Sequence, residues 1–482
     1  MTTISAYKDA CRKWIGVIWL TLEVNLVAGT IFGFAALFKV LPKYGVYSHY
    51  CTSASNTTAA AAAALVNCGA QTREYQNALT LGIAFFGLPS ALVGGLIDKL
   101  GCRFTKLIGV VFHVVGWLAL ALVQSGRDYL LYIHTVFSSI GGIAVLISTF
   151  ASSEYFATSR AVISALFAGA TISSTMWFSI FQRLIDDGHA TIGHLSYIWM
   201  SFGVLLFVSA FLFLDWKFTL CKLPYGTNVT FEEALTKSNT DRTDSETKWY
   251  IKIYQRTGIW NHLLSPLYIL VVLFLSVLLL PSVLLSVIWY PWVHYITNQD
   301  TVLANQYTFA FNVSTLSALA ICPINGFILG RNAMKNRKQQ LLNILIVQTI
   351  SWISNVALCI ICMFVTLNVI IPALVINCIA RSTIVAGSQA VVATFFPSEY
   401  IGRLTGIMWT VGGAVTFIQY ALVLLTDDIS KSWRVRTFLN LSLDMKIKIP
   451  FLLGLGNCAG ISDDHVLSFG TDIAKNIQER AA

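Results

Sequence analysis

Apolar runs long enough to cross a bilayer alternate with short polar loops along most of this chain. A membrane helix needs about 20 consecutive apolar residues, because each residue advances a helix by about 1.5 Å. Eleven runs meet this requirement, at residues 14–40, 78–97, 107–123, 130–151, 161–184, 195–214, 263–290, 307–329, 341–365, 368–396 and 404–426. The pattern predicts an all-α polytopic membrane protein with eleven clear spans.

A polar stretch at residues 215–262 divides the spans into a group of six and a group of five. It is too charged to enter the membrane and too short for a domain, so we interpret it as a cytoplasmic linker. We therefore expect a six-helix N-terminal half at residues 1–214 and a C-terminal helical half at residues 263–430. Carriers built from related repeats have this organisation.

Residues 431–482 depart from the pattern of long apolar runs. Only residues 449–461 are largely apolar and uncharged there, and a run of that length does not comfortably cross a bilayer. A twelfth span is therefore doubtful. Three interpretations stay open: a short, tilted or divergent helix, a nonfunctional variant, or an alternative or misjoined C-terminal exon.

Composition and charge placement support a membrane location. Of the 482 residues 56% are apolar and 11% are charged, whereas soluble domains carry about 25% charged residues. The net charge of +9 could indicate nucleic-acid binding, but the basic residues lie in short loops between apolar runs. Their distribution places the N-terminus, the linker and the loop at residues 98–106 in the cytoplasm. No nucleic-acid partner is expected, and the partners we expect are a small-molecule solute and the lipid bilayer.

Residues 94–106 form a short, charged loop between the second and third apolar runs. Its glycines permit a tight turn, and its charges lie at helix ends, where they can clamp one helix against its neighbours. The charged cluster comprises Asp98, Lys99, Arg103 and Lys106. We expect gating roles for Gly94, Asp98, Lys99, Gly101 and Arg103. The loop resembles the signature of the major facilitator superfamily, with Cys102 in place of the first residue of the basic pair.

The polar loop after the first apolar run contains Cys51, Cys68 and the glycosylation sequon that starts at Asn56. The charge distribution places this loop outside the cell. A disulfide between Cys51 and Cys68 and a glycan on Asn56 are then possible.

Two charged residues, Glu23 and Arg381, lie inside apolar runs. Charges within the hydrocarbon zone are costly, so each is a candidate for function. In the major facilitator arrangement the first, fourth, seventh and tenth spans line the central cavity, so the resemblance places one of these charges from each half on that lining. Arg381 could hold a carboxylate in a bidentate fork and Glu23 could receive an ammonium group. The alternative is that the two residues form structural locks, with each other or with helix ends.

Weaker candidates for solute binding lie near these charges or on the helices that the resemblance assigns to the cavity: Asn25, His134, Ser138 and Ser382. Polar side chains in membrane helices often bond a neighbouring backbone carbonyl instead. Beyond Glu23 there is no chain of membrane carboxylates of the kind expected for proton relay. This favours facilitated diffusion over ion coupling.

Several stretches together resemble solute carrier family 43, the sodium-independent facilitators of large neutral amino acids. They are Leu22-Glu23, Gly45-Val-Tyr47-Ser48, Cys68-Gly-Ala-Gln71, Ile97-Asp98-Lys99-Leu-Gly101, Leu107-Ile-Gly109, Ser265-Pro266, Arg381, Phe396-Pro397-Ser398 and Gly402-Arg403-Leu404-Thr405-Gly406. The resemblance implies uniport of leucine, isoleucine, valine, phenylalanine or methionine at the plasma membrane. One branch of that family carries purine nucleobases, so the substrate class stays open. The likeness ends near Thr426.

These observations lead to a functional hypothesis: a carrier of large neutral amino acids that works by alternating access. A carrier of purine nucleobases or another small organic solute is the first alternative. A nontransporting or defective membrane isoform is the second. The sequence contains no spaced metal ligands and no nucleophile–base motif above chance, so we expect neither an enzyme nor a bound cofactor.

Overall fold

The computed structural model describes residues 2–51, 69–156, 159–214, 259–331 and 337–418, and these residues form helices and short connections without a strand. Ten segments among them are long and apolar enough to cross a membrane. Numbered in chain order as spans 1 to 10, they are Lys13–Lys39, Gly69–Leu100, Cys102–Ala121, Leu130–Ala151, Arg160–Asp186, Ile192–Phe213, Pro266–Ile296, Thr301–Gly330, Lys338–Cys362 and Leu367–Phe395.

Four spans are interrupted. Span 1 consists of the later part of the α-helix Thr2–Val27 and the 3₁₀ helix Thr30–Lys39, and span 2 consists of the α-helices Gly69–Gly87 and Ser90–Leu100. Short 3₁₀ turns divide two further spans. Span 5 comprises Arg160–Ser173, the 3₁₀ turn Ser174–Met176 and Trp177–Asp186. Span 8 comprises Thr301–Ser314, the 3₁₀ turn Thr315–Ser317 and Ala318–Gly330. The other long α-helices are Cys102–Ala121, Leu130–Ala151, Ile192–Phe213, Pro266–Ile296, Arg337–Cys362 and Ile370–Phe395, and the shorter ones are Ile259–Leu263 and Ile401–Thr416.

The structure confirms the all-helical membrane fold and refines the predicted bounds. Span 2 begins at Gly69, nine residues before the predicted start at residue 78, because a polar first turn can lie in the aqueous zone and still be helical. The predicted eleventh span, residues 404–426, overlaps the helix Ile401–Thr416, and its last residues lie outside the described part of the chain. The same holds for residues 431–482 and for most of the linker, so the division into halves stays a prediction.

Side-chain caps fix the starts of two later spans. The Ser265 side chain accepts a hydrogen bond from the Tyr268 amide at 3.3 Å, and Pro266 occupies the first helical position of span 7. At span 8 the Asp300 carboxylate accepts from two amides of the first turn, at 2.9 and 3.1 Å. Both caps satisfy donors that a helix start leaves without partners.

Small residues bring the helices into close contact. Within the first six spans, span 3 packs against spans 4 and 6. Span 5 packs along span 8, where Gly169 faces Ala318 and Gly326 faces Ala161. Helices in lipid associate through close packing rather than through a hydrophobic driving force, which explains the small residues at these contacts.

A second close contact, here called the glycine seam, joins span 2 to the helix Ile401–Thr416. Its contacts pair Gly87 with Gly413, Ser90 with Gly406 and Gly94 with Gly402. A Cβ added at Gly94 would overlap the carbonyl oxygen of Gly402. The seam therefore joins a helix preceding residue 215 to one following residue 258, with backbone against backbone.

Candidate functional site

Arg381 on span 10 is a buried guanidinium without a carboxylate partner among the described residues. Its exposed fraction is 3%. Its Cζ atom lies 4.3 Å from the centre of the Phe32 ring in span 1, and its Nη1 atom has no hydrogen-bond partner in the described part of the chain. A ring face compensates a buried charge only partly. The arrangement therefore leaves Arg381 able to bind an acceptor group from a solute.

Neighbouring residues of span 10 contact spans 7 and 8. Asn377 accepts a 2.7 Å hydrogen bond from the Ser282 hydroxyl of span 7. The Cys378 sulfur lies 3.0 Å from the Ser317 oxygen of span 8. Ser382 is fully buried, and its hydroxyl has no partner in the described residues. Spans 1, 7, 8 and 10 thus meet around Arg381, and Arg381 and Ser382 are adjacent polar groups there.

An aromatic series continues from Arg381 toward span 2 and the helix Ile401–Thr416. Phe32 contacts Phe86 edge to face at 5.2 Å, and Phe86 contacts Trp409 in the same way at 5.9 Å. The Trp409 indole nitrogen has no partner in the described residues. Gly412, one turn further, is buried, yet a Cβ added there would meet no described atom within 4 Å. No described residue therefore fills the position beside Gly412.

Glu23 is not beside Arg381. Its carboxylate pairs with Lys106 of span 3 at 2.5 Å, and both side chains are fully buried. Trp19 donates to the Glu23 carboxylate at 2.9 Å, and Lys106 donates to the Ser209 hydroxyl at 2.6 Å. The geometry agrees with the alternative of a structural lock, although the partner is Lys106 and neither Arg381 nor a helix end. A carboxylate held in this way is not available to receive an ammonium group in this conformation.

Asn25 and His134 also bond protein partners, whereas the buried Ser138 hydroxyl has no hydrogen-bond partner in the described residues. The Asn25 amide donates to the Ser173 hydroxyl at 2.6 Å and accepts from the Trp177 indole at 3.2 Å. The His134 Nδ1 atom lies 2.9 Å from the Gly116 carbonyl oxygen of span 3. A Cβ added at Gly116 would lie 2.6 Å from the Ser138 amide, so this face of span 4 packs against span 3. The structure does not bring these three residues to Arg381.

The charged side chains of residues 94–106 contact several neighbouring helices. Asp98 pairs with Arg403 across the glycine seam at 2.7 Å. Arg103 donates to the carbonyl oxygens of Ala210 and Leu214, both at 2.9 Å, and so caps the end of span 6. Lys99 is exposed. Arg103 thus binds the end of span 6 and Lys106 binds Glu23, two contacts that the predicted cluster around Asp98 did not include.

Two glycines of the loop have separate roles. Gly101 has φ of +88°, a conformation that favours glycine. It connects the end of span 2 to the start of span 3 in a single residue. Gly94 lies at the closest contact of the glycine seam. A Cβ on the opposing Gly402 would lie 2.9 Å from an Asp98 carboxylate oxygen, so the bare backbone of the seam admits the Asp98–Arg403 pair.

At the other end of the bundle, spans 5 and 8 make polar contacts. The Asn312 amide donates to the Ser179 hydroxyl at 2.7 Å, and the Gln182 amide donates to the Asn305 oxygen at 3.3 Å. Both bundle ends therefore hold contacts between helices that precede and follow the linker.

The segment after span 1 is anchored on Asp128. Tyr47, with φ of +53°, donates from its amide to the Asp128 carboxylate at 2.8 Å and from its hydroxyl to the Asp128 carbonyl at 3.1 Å. Burial raises the pKa of the Tyr47 hydroxyl, which stays a donor at neutral pH. Cys51 nearby is buried. Cys68 and Asn56 lie outside the described residues, so the disulfide and the glycan stay predictions.

No protein-family model matches the chain. The equilibrative nucleobase transporter 1 of Bos taurus is 21% identical over 435 residues, which cover 84% of this chain and 88% of that protein. The large neutral amino acids transporter small subunit 3 of Homo sapiens is 24% identical over 226 residues, 45% of this chain. The arginine transporter 1 of Toxoplasma gondii is 26% identical over 219 residues, 43% of this chain. The alignment covers 40% of the human protein and 39% of the Toxoplasma gondii protein.

Solved structures share the architecture. The human organic anion transporter MFSD10 (TETRAN) aligns with a TM-score of 0.55 at 14% identity, covering 90% of this chain and 99% of that one. A bacterial homologue of the iron transporter ferroportin in an outward-facing state aligns with a TM-score of 0.55 at 12% identity, covering 92% and 99%. The chain is therefore a multi-pass membrane transporter with the major facilitator fold.

Proposed function

We propose that this transporter carries a small organic solute by facilitated diffusion, with Arg381 as the main solute-binding residue. The observation that carries the proposal is the buried guanidinium of Arg381, which has no carboxylate partner in the described residues. A charge in the membrane interior is expensive unless it has a partner or a function. An acceptor group on the solute would supply the missing partner during each transport cycle.

A purine nucleobase is the solute that the geometry favours. Among the described residues, Glu23 carries the one fully buried carboxylate, and its charge is already neutralised by Lys106. A nucleobase has no ammonium group and therefore needs no such carboxylate. An arginine fork can bind the paired acceptors of a purine edge, and the purine ring could pack against Phe86 and Trp409. The long alignment with the bovine equilibrative nucleobase transporter supports this substrate class.

A large neutral amino acid is the second candidate. Arg381 could hold its carboxylate in a bidentate fork, and the partial alignment with the large neutral amino acids transporter supports this class. The ammonium group would then need carbonyl oxygens, or a conformation in which Glu23 separates from Lys106. The resemblance to solute carrier family 43 is compatible with both candidates.

Uptake by the purified full chain in proteoliposomes tests the proposal. We expect saturable uptake of radiolabelled hypoxanthine, unchanged when sodium or proton gradients are removed, and weaker competition by adenine than by hypoxanthine. Adenine presents an amino group where hypoxanthine presents an oxygen, and a guanidinium needs acceptors. Competition by phenylalanine but not by either purine would favour the amino acid. Absence of uptake for the whole panel would favour the nontransporting alternative.

We also propose a plasma-membrane location, a cytoplasmic N-terminus and alternating access, with the Asp98–Arg403 pair as a clamp at the cytoplasmic end. The distribution of Lys and Arg between loops supports this orientation. An epitope tag at the N-terminus should be detected only after permeabilisation of the cell. Detection of the tag on intact cells would show that the N-terminus lies outside the cell, opposite to the proposed orientation.

A further inference from the structure

We infer that Phe32 is a displaceable lid on Arg381, moved by the 3₁₀ segment Thr30–Lys39, and that it determines how readily a solute reaches the guanidinium. The inference rests on the proposed role of Arg381 in solute binding. It assigns a role in specificity and access to an aromatic residue of span 1.

The first observation is the position of the ring. Phe32 lies over the Arg381 guanidinium at 4.3 Å and is itself 7% exposed. The ring covers one face of the guanidinium and leaves the Nη1 atom without a hydrogen bond among the described residues. A cation–π contact is weaker than a charge-assisted hydrogen bond to an acceptor. A solute with suitable acceptors can therefore compete with the ring for Arg381.

The second observation is the backbone that carries the ring. Thr30–Lys39 is a 3₁₀ helix of ten residues, whereas such helices rarely exceed three or four residues because their hydrogen bonds are poorly aligned. A long 3₁₀ stretch within a membrane span is a common mark of a hinge. The preceding α-helix ends at Val27, and Gly29 stands at the junction.

The change from 3₁₀ to α geometry would move the ring away from Arg381. A 3₁₀ helix turns about 120° per residue and an α-helix about 100°, so three residues from Gly29 to Phe32 accumulate a difference of about 60°. Gly29 and Gly33 lie directly against the carbonyl oxygens of Thr171 and Thr175 in span 5. A Cβ at either glycine would overlap these carbonyl oxygens, so the two glycines fix where the segment meets span 5 on both sides of Phe32.

Phe86 and Trp409 provide an aromatic surface on which the displaced Phe32 ring can pack. Phe32 contacts Phe86 at 5.2 Å, and Phe86 contacts Trp409 at 5.9 Å. The ring can therefore leave the guanidinium and keep aromatic contacts.

Chemical modification of Arg381 tests the lid without requiring transport. The full chain, reconstituted in proteoliposomes, is treated with phenylglyoxal, and the modified fraction of Arg381 is followed by peptide mass spectrometry. We expect Phe32→Leu to raise the modification rate about tenfold, since the ring no longer competes for the guanidinium. Phe34→Leu is the matched control, because Phe34 lies in the same segment, is fully buried and packs on Phe178 and His134 instead. Its modification rate should equal that of the wild type.

Transport gives a second, independent measurement. In Phe32→Leu the KM for hypoxanthine should fall severalfold with a smaller change in maximal rate, while Phe34→Leu should keep the wild-type KM. Equal modification rates in the two variants, or a raised KM in Phe32→Leu, would overturn the lid and indicate a structural or substrate-stacking ring. Phe32→Met serves as the test variant if Phe32→Leu does not give a monodisperse protein. A wild type that carries no solute of the panel would refute the proposed function, whereas the modification assay judges the lid separately.

Discussion

Arg381 and Glu23 are both charges within apolar runs, and their surroundings give them opposite roles. Glu23 has an ion pair with Lys106 and a hydrogen bond from Trp19. Arg381 has the face of Phe32 and no ion pair within the described residues. Removing two ions from water costs several kcal/mol per ion, which a well-bonded pair can offset. An unpaired guanidinium keeps this cost, which binding of a solute can reduce.

Replacing Arg381 should therefore reduce transport without reducing stability. We expect Arg381→Lys to lower solute uptake at least about tenfold, because the compact ammonium lacks the bidentate fork. The thermal unfolding temperature of Arg381→Gln should equal or exceed that of the wild type, because a buried charge is removed. Uptake in proteoliposomes and unfolding in detergent measure the two effects. Wild-type uptake in Arg381→Lys would exclude a fork at this site.

The Glu23–Lys106 pair should show the reverse behaviour. Lys106→Met leaves the buried Glu23 carboxylate without its ion pair and should cost about 3–5 kcal/mol of stability. The double variant with Glu23→Gln and Lys106→Met should recover most of this loss, since neither charge remains. Unfolding in detergent compares the single and double variants. Equal losses in both would mean that the pair does not act as a unit.

The sequence could identify which residues carry costly charges but not what each one contacts. Glu23 and Arg381 are visible because they interrupt apolar runs. Lys106 follows Glu23 by 83 positions, and its place near a loop made it a plausible member of the Asp98 cluster. Helix rotation and tilt decide which side chain meets which, and a single sequence contains no direct signal for either.

At the scale of elements, length and hydropathy predicted the spans well, and the glycines and prolines of spans 1 and 2 indicated bending, but the 3₁₀ geometry of residues 30–39 was not predicted. Almost all of residues 30–39 are buried, so their apolar residues do not lie on one face. The sequence therefore has no periodicity that would distinguish a 3₁₀ helix from an α-helix. The available signal was the spacing of Gly29 and Gly33, which marks a close approach to another helix. Span 2 was predicted too short because hydropathy alone does not detect its polar first turn.

Two adjacent glycines of span 2 give an internal comparison. Gly94 meets the Gly402 backbone, whereas a Cβ at Gly95 would meet no described atom within 4 Å. We expect Gly94→Ala to separate the helices, lowering stability by about 1–3 kcal/mol and slowing transport. Gly95→Ala should leave both properties unchanged. Unfolding in detergent and solute uptake measure the effects, and equal results for the two variants would show that the glycine seam tolerates a methyl group.

At the scale of the whole molecule, the proposed alternating access requires the contacts at the two bundle ends to break and form in turn. The ion pair between Asp98 and Arg403 joins span 2 to the helix Ile401–Thr416. The hydrogen bond between Ser179 and Asn312 joins span 5 to span 8. Each contact connects a helix that precedes the linker to one that follows it. The relative strength of these contacts sets the populations of the conformations.

Breaking the Asp98–Arg403 pair should slow solute exchange. The Arg403 side chain is 37% exposed, so the pair contributes only about 1 kcal/mol, enough to shift a two-state population severalfold. We expect Asp98→Asn to reduce the exchange rate severalfold, and Arg403→Gln to add little on this background. Lys99→Gln is the matched control, because Lys99 is exposed. Countertransport in proteoliposomes measures the rate, and unchanged exchange in Asp98→Asn would exclude the clamp.

The glycine seam has a mechanical consequence. Backbone meets backbone at its glycines, so Thr410, which accepts from the Ala91 amide and donates to the Leu88 carbonyl, is the main hydrogen-bonding side chain at the middle of the contact in the described residues. If these two helices slide past each other during the proposed transport cycle, Thr410 has to exchange its hydrogen-bond partners, and we expect Thr410→Val to change the rate of solute exchange measured in proteoliposomes.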